Sequence, residues 1–307
     1  MRERDVIGKC FNYAANESVE VGIGDDAAVV KTASGGKLAI STDTLVAGVH
    51  FRDNDNPCFI ARKAAAVSLS DIAAMGARPL WMTIAITFGG KNAEEWFAAI
   101  GEGFKSSAKQ YDYAIIGGDL TRGAQTQLTT TVIGEVDKKA ITRGGAKPGD
   151  DIWLSGTIGD AALALHKPAI ADEKSRARLH NPSPRLDLSA TLSQVASAAM
   201  DLSDGLSVAV CEMAKASAAK FVIDAANIPA SATMQTLPQK ERLDLMLDGG
   251  DGYEILFCAA AARRDSIGEY PGIARIGVVV EGKGGYVRID GKEESLSGRG
   301  YEHNFGE

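Results

Sequence analysis

The 307-residue chain has no apolar run long enough to cross a membrane or to form the core of a secretory leader, and its start, Met1-Arg2-Glu3-Arg4-Asp5, alternates charges instead. A cytoplasmic protein with no membrane partner is expected. The four cysteines, Cys10, Cys58, Cys211 and Cys258, lie far apart without a C-x-x-C spacing, which excludes a zinc-finger or disulfide framework. Basic residues are outnumbered, 33 to 40, for a net charge of -7; no nucleic acid is expected as a partner, because such binding rests on Lys and Arg neutralising phosphates. No G-x-x-x-x-G-K-[ST] loop or kinase-type glycine loop occurs, and Gly22-Ile-Gly-Asp-Asp26 lacks the third glycine of a dinucleotide fingerprint. A G-x-S-x-G elbow and an H-E-x-x-H helix are also missing.

What is present is enough chain for two domains, at roughly 100 to 200 residues each. In the first half, Leu38 to Thr42, Trp81 to Thr87, Ala114 to Ile116 and Thr126 to Val136 read as strands. Between them, Asn92 to Gln110 carries one apolar stripe through Trp96, Phe97, Ile100 and Phe104, and Phe59 to Met75 is a second helix ended by Gly76. Arg143-Gly-Gly-Ala-Lys-Pro-Gly-Asp150 makes a natural junction, which predicts an N-terminal α/β domain over 1–141 and a C-terminal α+β domain over 142–307. The second half predicts strands at Ile152 to Leu154, Phe221 to Ile223, Tyr253 to Phe257, Ile273 to Val280 and Tyr286 to Ile289. Its helices are predicted from Gly159 to Leu165, Leu186 to Ala199 and Leu206 to Ala218.

Aspartates carry the chemistry. Asp25 and Asp26 follow Gly22-Ile-Gly24, Asp43 closes a strand, Asp119 follows Gly117-Gly118, and Asp201 and Asp204 stand in Asp-Leu-Ser-Asp-Gly205. Carboxylates converging from such turns make an oxygen-only site suited to Mg²⁺. Taken singly, each is also an ordinary turn or N-cap choice, Asp204-Gly205 most of all. Asp71 resists that reading. It follows Ile60, Ala64 and Val67 in steps of four, three and four, so it stands on an apolar helix face and needs a partner, either a metal site or a buried arginine. Ser41 and Thr42 add hydroxyls beside Asp43, although a polar strand end reads the same way. On their own, His50 and Arg143 read first as ordinary surface residues and only second as phosphate donors.

Taken in order, Gly22-Ile-Gly-Asp-Asp-Ala-Ala28, Ser41-Thr-Asp-Thr-Leu-Val-Ala-Gly-Val-His-Phe51, Ser70-Asp-Ile-Ala-Ala-Met-Gly76, Gly117-Gly-Asp-Leu-Thr-Arg-Gly123 and Asp201-Leu-Ser-Asp-Gly205 resemble the thiamine-monophosphate kinases. Pro182-Ser-Pro-Arg185 and Gly300-Tyr301 fit the same pattern, which runs from about Val21 to Tyr301. The resemblance implies the two-domain aminoimidazole ribonucleotide synthetase-like fold, a homodimer that pairs its N-terminal sheets, and ATP as co-substrate in a cleft where both domains meet. It implies several Mg²⁺ ions held by Asp26, Ser41, Thr42, Asp43, Asp71, Asp119, Asp201 and Asp204, with Asp43, Asp71 and Asp119 central to catalysis. ATP would meet Gly118, Asp119, Arg143 and Ser203, and thiamine monophosphate would meet His50, Asp251 and Tyr301. One segment departs from the family pattern: Gly-Gly-Glu-Asp-Tyr-Glu is replaced by Gly249-Gly-Asp-Gly-Tyr-Glu254, which shortens one acid and deletes the next.

The implied reaction is in-line transfer of the ATP γ-phosphoryl group to the acceptor's terminal phosphate oxygen. Selenophosphate synthetase and the hydrogenase-maturation dehydratase are disfavoured, since neither the N-terminal reactive motif of the first nor a terminal cysteine in Asn304-Phe-Gly-Glu307 is present. An aminoimidazole ribonucleotide synthetase-like enzyme and a weakly catalytic Mg-ATP sensor are the alternatives.

Overall fold

The computed structural model describes residues 3–11, 16–301 and 303; Asn304 to Glu307 lie outside the described residues. The first part of the chain gives α1 (Glu3–Cys10), β1 (Val19–Val21), β2 (Ala28–Lys31), β3 (Lys37–Val46), α2 (Pro57–Ala74), β4 (Arg78–Phe88), α3 (Ala93–Tyr111), β5 (Ala114–Arg122) and β6 (Gln127–Val136). Its six strands form one sheet in the order β1-β2-β3-β6-β4-β5. Only β4 and β5 run parallel, joined by the crossover helix α3, and the other pairs are antiparallel.

The second part contributes β7 (Asp150–Ser155), α4 (Asp160–His166), α5 (Glu173–His180), α6 (Leu186–Val195), β8 (Ala196–Asp201), α7 (Leu206–Ala216) and β9 (Lys220–Asp224). Then come α8 (Ala232–Gln235), α9 (Gln239–Asp248), β10 (Ile255–Ala260), α10 (Arg264–Gly268), β11 (Ile273–Val280), β12 (Gly284–Ile289) and β13 (Lys292–Ser295). Seven strands form the second sheet, β13-β12-β9-β11-β7-β10-β8, in which only β12 and β9 are parallel.

α2 is the axis of the molecule. Asn56 caps it by accepting from the Cys58 N–H at 2.9 Å, Pro57 opens it, and it stops before Gly76, whose φ of 67° suits a residue without Cβ. Its stripe suggests an amphipathic helix, but the helix is buried nearly all round, packed on α3, β3 and β6 on one side and on α6 and β8 on the other. Ser68 fixes it to the first sheet with a 2.8 Å bond to the Thr130 hydroxyl. A core of Ala73, Ile141, Trp153, Leu192 and Phe257 then fastens the two sheets' layers across it.

Among the described residues, no helix packs against the other face of the first sheet. It presents threonine pairs, Thr42 with Thr131, Thr44 with Thr129 and Thr87 with Thr121, each at 2.9 Å, beside a 40% exposed Trp81. β5 is one of the sheet's two edge strands and every residue in it is exposed, Leu120 by 65%.

Three sequence expectations are corrected. Ala196 to Ala199, predicted as the end of a helix, is the strand β8; the alanines favour helix locally, but pairing with β10 decides the conformation. Asp43 lies inside β3, which continues to Val46, and does not close it. Gly117-Gly118-Asp119 is strand, not a turn: β5 lies so close to β4 that a Cβ on Gly118 would stand 1.7 Å from the Ile84 carbonyl oxygen, whereas Gly117 has open space. α5 and α9 were not foreseen from the sequence.

Gly118→Ala is therefore expected to cost at least about 3 kcal/mol in urea unfolding, or to yield no folded protein. Gly117→Ala should cost under about 1 kcal/mol. Equal midpoints for the two variants would refute the close β4–β5 approach.

Candidate active site

The two halves meet through acids. Along β3 the pleat turns Ser41 and Asp43 toward α2 and Thr42 toward the open face, where its hydroxyl is engaged with Thr131. From α2, the Asp71 carboxylate accepts a short hydrogen bond from the Ser41 hydroxyl, and its neighbour Ser70 donates to Asp201 across the domain junction at 2.8 Å. Asp201 ends β8 and is 2% exposed. Asp26 comes in from the loop before β2. One carboxylate oxygen from each of Asp26, Asp71 and Asp201 lies within 4.8 Å of the others.

A single cation among the described residues is bonded into this group. Arg143, from the junction, reaches Asp26 Oδ1 through Nη2 at 2.6 Å and Nε at 2.9 Å, while its backbone N–H points at both oxygens of Asp25, each at 3.2 Å. Burial works against the arginine's charge, but Asp26, Asp201 and Asp25 together hold it more firmly protonated than usual. The arginine alternative foreseen for Asp71 is taken up by Asp26 instead. Asp26 Oδ2 and Asp43 Oδ2 are buried with no hydrogen-bond partner.

Such a group cannot hold four negative charges on one arginine. Burial, then the neighbouring carboxylates Asp43, Asp201 and Asp26, raise the Asp71 pKa well above the ordinary range. Asp201 is raised by burial and by Asp26. Asp43 and Asp26 are raised chiefly by burial, and Asp25, at the rim, is pushed up to about 6 by burial and then by Asp26. The chemistry of the donor set is therefore oxygen-only, anionic, partly orphaned and short of positive charge, which is what a hard divalent cation requires.

A cleft of about 760 Å³ opens beside this cluster, a size that suits a nucleotide and a small co-substrate. Asp43, Ser203, Asp204, His50, Asp251 and Tyr301 all line it, and Thr42 lies on its wall. Asp204 does not cap α7, whose N-cap is Gly205 without a side-chain bond. His50 Nδ1 accepts the Val46 N–H at 3.0 Å, so the neutral ring carries its proton on Nε2. Burial, with His303 and Lys63 nearby, lowers its pKa and keeps it neutral. The Tyr301 ring, 48% exposed, stands 6.4 Å from that of His50. A second cavity of about 370 Å³ adjoins the cleft, sharing Val49, His50, Leu165 and Asp251.

Among the expected ligands, the Thr42 hydroxyl is turned to the open face, Asp204 stands on the cleft wall, and Asp119 lies on a distant strand. Asp43, Thr130, Ile84 and Gly118 share a row across β3, β6, β4 and β5, so Gly118 and Asp119 lie three strand spacings, roughly 14 Å, from Asp43. Asp119 is exposed on the edge strand.

Two features of the site escaped the sequence reading. Glu254, 1% exposed, is clamped by Arg178 and Arg185, both at 2.7 Å, and fixes the Pro182–Arg185 loop. Lys63 is buried against Asp251 at 2.9 Å. It stands three residues after Ile60 and eight before Asp71, so the stripe that exposed Asp71 carried this signal too.

The chain matches the models for the AIR synthase related protein, N-terminal domain, over residues 24–136 and C-terminal domain over 147–290. It is 38% identical over 321 aligned residues to the thiamine-monophosphate kinase of Escherichia coli (strain K12), covering 98% of each chain. The chain belongs to the thiamine-monophosphate kinase family. The structure superposes on thiamine-monophosphate kinase from Stenotrophomonas maltophilia K279a with a TM-score of 0.79 at 39% identity, over 91% of this chain and 93% of that one. On AaThiL complexed with AMPPCP and TMP the TM-score is 0.83 at 27% identity, over 96% and 100% of the two chains. Among the described residues no helix is long and apolar enough to cross a membrane.

Carboxylates with raised folded-state pKa values stabilise the metal-free fold while protonated and lose that stabilisation as pH rises, through about 6 for Asp25. In EDTA the melting temperature should fall between about pH 5 and pH 8, and Mg²⁺ should restore more at pH 8 than at pH 5. Asp71→Asn should flatten the metal-free slope and remove most of the Mg²⁺ response, as read by calorimetry. A pH-independent Mg²⁺ shift, or one that survives the substitution, would count against the cluster as the cation site.

Proposed function

We propose that this chain transfers the γ-phosphoryl group of ATP to thiamine monophosphate, giving thiamine diphosphate and ADP, in the cleft between its two domains. The observation that carries the reading is the group of buried aspartates sharing one arginine, with two orphaned oxygens, which reaches the wall of a nucleotide-sized cleft through Asp43 in a member of this family.

Asp26, Asp43, Asp71 and Asp201, with Ser41 beside them and Asp204 across the cleft, would hold magnesium. When bound, the ions neutralise both reacting phosphates and keep them in line. The chain's own residues do the rest. Arg143 spends Nε and Nη2 on Asp26, which leaves Nη1 for a nucleotide phosphate, and Ser203 offers its hydroxyl from the cleft wall. His50 Nε2–H is a neutral donor for the acceptor's phosphate, and Tyr301 provides a ring face for the acceptor's heterocycle. The bond from the γ-phosphorus to the β–γ bridging oxygen breaks as one forms to the acceptor's phosphate oxygen, and ADP leaves with the bonding pair. The acceptor phosphate is already largely ionised near neutral pH, so no general base is needed. The aspartates serve as charge partners, not as proton acceptors.

A homodimer accounts for the two surfaces the fold leaves open. The uncovered threonine face and the exposed edge strand β5 are features that proteins cover, and pairing the two copies' sheets would cover both. It would also give Gly118 and Asp119 a role they cannot have within one chain, by presenting them to the cleft of the second copy. The division into 1–141 and 142–307 follows the gap between the end of β6 and the start of β7. The cytoplasm, where ATP is available and the four cysteines stay reduced as thiols, is the compartment this reading requires.

Purified protein with Mg-ATP and thiamine monophosphate should form thiamine diphosphate and ADP in equal amounts. Tight ATP binding without product would instead indicate a sensor. Asp43→Asn and Asp119→Asn should each lower kcat by about a thousandfold or more. Mixing the two inactive variants under subunit exchange should restore about a quarter of wild-type activity, because half of the dimers are mixed and each mixed dimer has one intact site. No restoration would place Asp119 outside any shared site.

A further inference from the structure

We propose that Lys63 is a positioning residue for the phosphoryl acceptor: its buried ammonium holds His50 and Asp251, one from each domain, at a fixed separation on the wall of the cleft. This rests on the preceding reading of His50 and Asp251 as the acceptor's residues.

Lys63 belongs to α2, two helical turns before Asp71, and is 5% exposed. A lysine buried that deeply needs partners, and it has two. Its Nζ lies 2.9 Å from Asp251 Oδ1 and donates to the His50 carbonyl oxygen at 3.4 Å. His50 follows β3 in the N-terminal domain, whereas Asp251 stands in the loop that joins α9 to β10. One ammonium thus joins the backbone of His50 to the carboxylate of Asp251, two residues that line both the main cleft and the adjoining 370 Å³ cavity, which Lys63 itself lines.

The Asp251 loop is held from the other side as well. The Asp251 N–H donates to the Ser203 carbonyl at 2.8 Å, and the Tyr253 hydroxyl lies 3.2 Å from Asp251 Oδ1. Asp251 adopts a φ of 61°, a conformation that costs a residue with a Cβ and persists where its surroundings over-determine it. Ser203 is in turn the residue facing the nucleotide in the proposed reaction. Lys63 therefore closes a chain of contacts from the metal-bearing helix, through the acceptor's carboxylate, to the nucleotide loop.

Stability alone is a poor reason for this arrangement. A buried ion pair usually does no better than well-packed apolar side chains of the same volume. The pair also fits the shortened acid of this chain: Asp251, at the place of the family's glutamate, sits where its carboxylate meets the ammonium directly.

The test uses the full-length protein and four variants, Lys63→Met, Lys63→Arg, Asp251→Asn and the double variant Lys63→Met/Asp251→Asn. Steady-state kinetics with each substrate are paired with calorimetric binding of thiamine monophosphate in the presence of Mg-ADP. Lys63→Met is expected to raise KM and Kd for thiamine monophosphate about tenfold or more, with kcat and the KM for ATP changed less than about threefold. Lys63→Arg should recover most of that loss, and the double variant should be no worse than Asp251→Asn alone. An unchanged KM for thiamine monophosphate, an equal loss for ATP, or additive losses in the double variant would overturn the proposal. Should Lys63→Met fail to fold, the comparison of Asp251→Asn with the double variant decides, since removing both charges leaves no lone buried ion; a further rise in KM overturns it. Wild-type protein that neither binds nor phosphorylates thiamine monophosphate would overturn the functional reading and this proposal together. An active wild type with an equally active Lys63→Met would overturn this proposal alone.

Discussion

The structure is organised around a charge imbalance. Asp26, Asp43, Asp71 and Asp201 come from a loop, a strand, a helix and a strand of the other domain, and converge where, among the described residues, Arg143 is the one cation bonded to them. In water such carboxylates would be ionised near neutral pH. Here burial, joined at Asp71 and Asp201 by repulsion from the neighbouring carboxylates, pushes their proton affinities up, so without added cations the cluster must keep protons or bear the repulsion. Replacing the protons with hard divalent ions removes both costs at once. A fold that keeps so expensive a cluster between its domains has tied its own stability to the ligand chemistry of the site.

α2 makes this convergence possible. A helix buried on one stripe could face a single sheet, but this one lies between the layers and distributes its polar residues in three directions. Ser68 bonds to the first sheet, Ser70 to Asp201 in the second domain, and Asp71 to Ser41, while Lys63 reaches the loop bearing Asp251. Each of these is a small or charged side chain on an otherwise alanine-rich helix. The small neighbours let β3, β6, β8 and α6 approach closely enough for those short side chains to reach their partners.

How much of this could be read in the sequence depended on whether the signal was local. The period of α2 exposed Asp71 as an acid among aliphatics, because helical spacing is a property of the segment itself. Both sheets' principal strands could be located for the same reason. β8 could not: the stretch Ala196-Ser-Ala-Ala199 favours a helix, and its partner β10 lies more than fifty residues away. Gly117-Gly118-Asp119 looked like a turn because paired glycines usually are, whereas the second glycine in fact permits β5 to lie against Ile84. Lys63 was legible in principle, on the same stripe as Asp71. Its partner Asp251, however, is supplied by the other domain, and helical spacing carries no signal for that.

The loop that departs from the family's pattern is also the one that locks the domains together. Asp251 and Tyr253 both adopt left-handed backbone, at φ of 61° and 47°, while the glycine between them is not in that region. Two such residues cost on the order of 1 to 3 kcal/mol each. The strain is offset because Tyr253, 6% exposed, is packed within the N-terminal domain's core although the chain supplies it from the other domain. Parting the domains would therefore expose a buried aromatic ring, separate Lys63 from Asp251 and Ser70 from Asp201, and leave Asp26 without Arg143. These contacts oppose a wide hinge opening, so exchange of substrate and product has to proceed through the mouth of the cleft. There the wall is formed by His50 and by Tyr301, whose N–H is held to the Asp204 carbonyl at 3.2 Å. Losing the second acid at Gly252 leaves this lock intact, because the positions that carry it are the shortened Asp251 and the buried Tyr253.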